Sequence, residues 1–128
     1  MERKNISSGT KWEAAVGYSR AVRVGPHVWV AGTTAVDETG RLVGPGDAYA
    51  QARFIFQKIE SALREAGASM EDVVRTRMFV TDISKQEAVG RAHAEFFLGV
   101  KPCATMVGIP ALVEPEMLVE IEVEAYVR

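Results

Sequence analysis

Three glutamates at every second position are the most evident chemical feature of this chain. Glu120, Glu122 and Glu124 alternate with Val119, Ile121, Val123 and Ala125. Period-two alternation over Leu118 to Val127 predicts a β-strand with one apolar and one acidic face. Like charges two residues apart repel, so such a face calls for cationic neighbours or a wet cleft. Arg75 and Arg77 supply cations at the same spacing in a second strand-like run, Val73 to Thr81. Glu120 then has two readings, an ion pair with Arg75 or Arg77 or a carboxylate turned toward a ligand. Glu122 and Glu124 read as structural partners of the arginines.

The other reactive side chains are isolated. Cys103 is the single cysteine, so no internal disulfide forms; it reads as a small buried hydrophobe or as a thiol in a cleft. His27 sits in a turn and His93 on a helix. Neither has a second ligand at metal-binding spacing, and no metal site is expected. Ser19 has no recognisable His/Asp partner. Gly44-Pro45-Gly46 precedes a helix but lacks the Lys-Ser/Thr ending of a phosphate loop.

The 128 residues fit one domain, 1–128, and 48% hydrophobic with 25% charged residues is the balance of a globular protein. A net charge of −2 with no Lys/Arg-rich run argues against nucleic acid as partner. No apolar run is long enough to span a bilayer and no leader pattern opens the chain, so the expectation is a cytoplasmic protein without membrane contact.

The elements that must position these groups follow from periodicity. A weak first strand includes Ile6. Arg20–Val24 and His27–Ala31 form a hairpin around Gly25-Pro26. Gly32, inside a strand pattern, marks a bulge or a close approach of backbone or ligand. A helix runs from an Asp47 N-cap to Gly67, with Ala52, Ile55, Ile59 and Leu63 on one face. Ser84-Lys85-Gln86-Glu87 reads as a capping box opening a second helix, to about Leu98. A short strand, Pro102 to Ile109, precedes the acidic strand. The order β-β-β-α-β-α-β-β, with hairpins at both ends, predicts an α+β layer: a mixed sheet with two helices on one face. Trp29, Val73, Phe79 and Met106 then leave the other face apolar, which predicts a homo-oligomer.

Gly17-Tyr18-Ser19-Arg20-Ala21-Val22-Arg23-Val24-Gly25, Val30-Ala31-Gly32-Thr33, Thr81-Asp82, Pro102 with Thr105 and Val107, and Leu118-Val119-Glu120-Ile121-Glu122 occur in this order. Together they resemble the RidA/YjgF family, also called the endoribonuclease L-PSP or reactive-intermediate-deaminase family, from about residue 16 to the C-terminus. The resemblance implies a chorismate-mutase-like fold and a homotrimer with small-molecule clefts between subunits. It also implies hydrolysis of 2-imino or enamino acids to 2-oxo acids and ammonia, without cofactor. In that chemistry an arginine fork clamps the substrate carboxylate and a glutamate activates water.

Carried over by residue, Glu120 matches the catalytic glutamate. Tyr18, Gly32, Thr33, Gly90, Cys103, Ala104 and Thr105 fall at cleft positions. The arginine position holds Ala104 when aligned on Pro102, or Thr105 when aligned backward from Glu120. Gly90 stands where many active members have asparagine. The resulting expectation is a cleft with Glu120 and no cation, favouring a neutral or cationic ligand and weak or absent turnover of 2-imino acids. A non-enzymatic, metabolite-binding trimer is the alternative, and the acidic balance counts against a ribonuclease.

Overall fold

The acidic strand lies in the middle of the sheet. In the computed structural model, which describes residues 1–128, the elements are β1 (Arg3–Ile6), α1 (Lys11–Val16), β2 (Ala21–Val24), β3 (His27–Thr33), α2 (Ala48–Glu65), β4 (Val73–Val80), α3 (Gln86–Phe97), β5 (Cys103–Gly108) and β6 (Val119–Tyr126). Six strands form one sheet in the order β1-β2-β3-β6-β4-β5. Every pairing is antiparallel except β4 with β5. Val119, Ile121, Val123 and Ala125 of β6 are buried and their glutamate neighbours are half-buried, as the alternation requires.

Helix α2 covers the apolar face. Asp47 caps it through Ala50 N–H, and Ile55, Phe56, Ile59 and Leu63 are fully buried against the sheet. Each such side chain contributes about 1.5–3 kcal/mol of hydrophobic stabilisation. At the far end Gly67 takes φ +80°, and Arg23 Nη1 donates to the Ala66 carbonyl at 2.7 Å, satisfying the last turn. α3 packs on α2. His93 packs its ring against Phe56 and Phe97 and shares a 2.9 Å hydrogen bond with Thr76 Oγ1.

Several sequence-based expectations are corrected. The chain has a third helix, α1, between β1 and β2. The C-terminal hairpin does not exist: β5 joins the sheet parallel to β4 after crossing over through α3, and β6 inserts between β3 and β4. The Ser84–Glu87 capping box is not formed. Instead Asp82 accepts hydrogen bonds from Ser84 N–H and Oγ–H, capping a 3-10 turn over Ile83–Lys85 that leads into α3. A register shift between Val73 and Arg75 buries Val73 on the helix side and leaves Val74 exposed. Met106 packs on the core as well. The open sheet face therefore carries Trp29 and Phe79, with Trp29 44% exposed.

One buried polar side chain ties the loops to this frame. Gln51 on α2 is fully buried; its Nε2 donates to the carbonyls of Gly44 and Glu116, and its Oε1 accepts from Leu118 N–H at 2.9 Å. It thereby fixes Leu118, the residue immediately before β6. Gln51→Leu would leave the Glu116 carbonyl and the Leu118 N–H unpaired, Gly44 keeping the Asp47 N–H, and is expected to lower the unfolding free energy by about 2–3 kcal/mol. Urea denaturation checks this, and a loss under about 1 kcal/mol would show that water replaces the amide.

Candidate functional site

The register of β4 and β6 separates the three glutamates. Glu122 lies opposite Arg77, Glu124 opposite Arg75, and Glu120 opposite Phe79. Arg77 Nη1 reaches Glu122 at 2.9 Å and Glu124 at 3.3 Å. Glu120 is in neither ion pair. Of its two readings, pairing with Arg75 or Arg77 is excluded by the geometry.

Glu120 instead lines a cavity of about 350 Å³ together with Trp12, Tyr18, Arg20, Lys58 and Met117. Gly32 completes the wall. The register of β3 against β6 shifts between Val30 and Thr33, and this bulge brings the Gly32 backbone against the Glu120 side chain. A Cβ at Gly32 would sit 2.9 Å from Glu120 Cδ and closer still to Oε2, so only glycine leaves the carboxylate where it is.

α1 supplies the apolar wall, through Trp12 and Val16. Its six residues are too few to be helical on propensity alone. Thr10 caps the helix, and the buried Glu13 accepts from Ser8 N–H, Ser8 Oγ–H and Thr10 Oγ1–H. Burial alone would raise the Glu13 carboxyl, but hydrogen bonds from Ser8, Ser7 and Thr10 outweigh it and hold the group below its ordinary value. Gly17, at φ +90°, ends the helix and sends the chain to Tyr18.

Two cations enter the same cavity. Arg20, only 8% exposed, donates from Nη2 to the Gly32 carbonyl at 2.9 Å and lies over the Tyr18 ring at 5.7 Å; its Nε is buried with no partner. Lys58, from α2, donates to the carbonyls of Thr34 and Val36, both at 2.8 Å. Neither cation is in an ion pair. Burial, reinforced by Arg20 and opposed by Asp37, pushes the Lys58 amine down to about 8. Burial raises the Glu120 carboxyl above its ordinary range; Arg20 opposes this and Glu122 adds to it.

The expectation of a cavity without a cation is therefore wrong. An alignment tests only the position where the family's arginine stands, and here a guanidinium and an ammonium arrive from β2's approach and from α2. The inferred preference for a neutral or cationic ligand falls with it.

Of the other sequence-proposed site residues, Tyr18 and Gly32 join Glu120 at the cavity. Thr33 does not: the bulge turns it into the core, 1% exposed, where its hydroxyl donates to the Ala31 carbonyl at 2.8 Å. Gly90 lies on α3, outside the cavity. Cys103, Ala104 and Thr105 are exposed on the edge strand β5, also outside it. In the single protomer the Cys103 thiol is exposed. Sequence reasoning passed over Trp12, Arg20 and Lys58. The signal for the first was Thr10-Lys11-Trp12-Glu13, a Ser/Thr-x-x-Glu start of helix.

An α+β protomer whose central strand presents a glutamate to a cavity at the sheet defines the class. The chain belongs to the YjgF/RidA family: the family described as Endoribonuclease L-PSP matches residues 9–127. A solved relative is Rv2704 of Mycobacterium tuberculosis, from the YjgF/YER057c/UK114 family. It is 51% identical with a TM-score of 0.91, over 98% of this chain and 100% of that one. The YjgF gene product of E. coli is 27% identical, TM-score 0.85, over 98% and 99%. The protein SCO2049 of Streptomyces coelicolor is 40% identical over 96% of this chain and 91% of its own. The fold, a six-stranded sheet with three helices, is that of these structures, and the family is generally trimeric. No helix is long and apolar enough to cross a membrane.

The raised Glu120 carboxyl has a consequence for stability. Its folded value lies above the ordinary 4.5, so between the two the native state holds the extra proton and stability falls as pH rises. Glu120→Gln is expected to be more stable than the parent near neutral pH, with the gap closing below 4.5. Denaturant midpoints on both sides of that value check it; a glutamine variant weaker at neutral pH would show that the carboxylate is structural.

Proposed function

We propose that this protein is a homotrimeric, cofactor-free hydrolase of small imine- or enamine-type metabolites, with Glu120 as the general base. The observation that carries the proposal is Glu120 itself, a half-buried carboxylate held above its ordinary range and lining a cavity of ligand size.

In this reading Glu120 takes a proton from a water molecule as its oxygen attacks the C=N carbon. Glu120 passes that proton to nitrogen to give a tetrahedral carbinolamine, then carries the hydroxyl proton across to the amine, and ammonia leaves with the C–N bonding pair as the C=O bond closes. The net change is one water consumed and one ammonia released. The apolar walls limit bulk water, and the raised carboxyl is a stronger base than a free glutamate. Assembly as a trimer is supported by the family's habit, by the exposed edge strand β5 and by the exposed Trp29 and Tyr126 on neighbouring strands. In a trimer with clefts between subunits, Cys103, Ala104 and Thr105 would reach a neighbour's cavity.

Ala104, at the position of the family's arginine, favours a second reading: a trimer that binds a metabolite without turning it over. The family's ribonuclease name has less support here. The cavity is walled by apolar side chains, and RNA needs a track of cations along its backbone.

Ammonia release from a panel of imines and enamines separates the two leading readings. Glu120→Gln is expected to lower kcat about 100-fold or more while leaving ligand affinity in place. The parent kcat/KM should rise with pH through a value above 4.5, as the base loses its proton. No ammonia from any imine in the panel would leave the binding reading. Light scattering should give three times the 14.0 kDa chain mass, and a monomer would remove the subunit-cleft part of the proposal.

A further inference from the structure

We propose that Arg20 and Lys58 form an anion anchor inside the cavity, and that the ligand is a small carboxylate with a bulky apolar body. The inference rests on the same cavity as the proposed reaction, but it concerns binding and stands or falls separately from turnover.

The argument begins with how the two cations are held. Buried cations normally sit against carboxylates. Here both are fastened to backbone carbonyls two residues apart in the chain, Arg20 to Gly32 and Lys58 to Thr34. Carbonyls orient a cation but leave its charge uncancelled. Each also keeps donors in reserve. Arg20 uses Nη2 on Gly32, and its Nε–H is buried without an acceptor. Lys58 commits two of its three protons, to Thr34 and Val36.

The acidic groups nearby do not neutralise the pair. Asp37 turns its Oδ1 into its own loop, accepting from Thr39 N–H, Thr39 Oγ1–H and Arg41 N–H. Glu120 forms no ion pair with either cation. Tyr18 presents a ring to Arg20, and Glu38 lines an adjoining hollow that shares Asp37 and Lys58 with the cavity, without an ion pair to Lys58. A carboxylate brought between Arg20 and Lys58 would supply the missing countercharge and take up the spare donors. The remaining wall, Trp12, Val16, Val113 and Met117, is apolar and suits an aryl or branched alkyl group.

Calorimetric titration of the full chain with 3-phenylpropionate and with its neutral isostere 3-phenylpropionamide tests this. The acid is expected to bind about tenfold or more tighter than the amide. Arg20 is buried, so its removal endangers the fold, and Lys58→Met carries the test instead. That variant should lose most of the acid-over-amide preference, the acid losing more affinity than the amide. A bound anion raises the amine back toward 10.5, so above about 8 the parent should take up a proton on binding the acid, and acid affinity should fall as pH rises. The uptake, read from heats in buffers of different ionisation enthalpy, should vanish in Lys58→Met. Equal affinity for acid and amide, an acid-to-amide ratio unchanged in Lys58→Met, or no binding of the acid at millimolar concentration would each overturn the proposal. Glu120→Gln provides the separation: it should still prefer the acid even if no ammonia is ever released by the parent.

Discussion

Arg77 and its two glutamates set the terms for the rest of the molecule. A strand that alternates apolar and acidic residues must place its carboxylates on one face, about 6.5 Å apart along the chain, where they repel. β4 answers with one effective cation. Arg77 reaches Glu122 and Glu124, while the residue opposite Glu120 is Phe79. The third carboxylate is thus left to find its own environment, and what it finds is a cavity. Had the register slipped by two residues, Arg77 would face Glu120 and the cavity would have no unpaired acid.

The bulge in β3 does the complementary work on the other side of β6. By opposing two residues to one, it sends Thr33 into the core and brings the glycine backbone against Glu120. The carbonyls of Gly32, in the bulge, and Thr34, just past the strand, accept from Arg20 and Lys58. The irregular stretch therefore positions the acid, makes room for it and meets both cations.

What could be read from residues alone was whatever depends on period. β6, β4 and α2 repeat at two or at three to four residues over long enough stretches to be unmistakable, and Glu120 stood out because its strand did. α1 is six residues long, too short for a period, and only its capping pattern advertised it. The C-terminal hairpin was inferred from adjacency in the chain, but β6 belongs between β3 and β4, and no local pattern encodes which gap a strand fills. Arg20 and Lys58 escaped for a related reason. An arginine beside a strand and a lysine on the flank of a helix look solvated, and their burial follows from tertiary packing around the bulge. The prediction of a cation-free cleft failed because it searched one strand for a charge that the fold delivers from two other elements.

Shifted acidity alone would not have identified this cavity. His93 is also pushed toward its neutral form by burial, yet it hydrogen-bonds Thr76 and packs between Phe56 and Phe97, and nothing there is left over for a ligand. Glu120, Arg20 and Lys58 differ in what they leave unsatisfied. The acid lacks a cation, the guanidinium holds a buried N–H without an acceptor, and the amine keeps a spare proton. Each lowers the stability of the empty protomer, since an isolated buried charge is costly and an unmet donor more so than a paired one. Evolution removes such groups readily by apolar substitution when nothing needs them. Three of them converging on one cavity, with a glycine making room and an apolar wall opposite, are better explained by a charged guest than by packing.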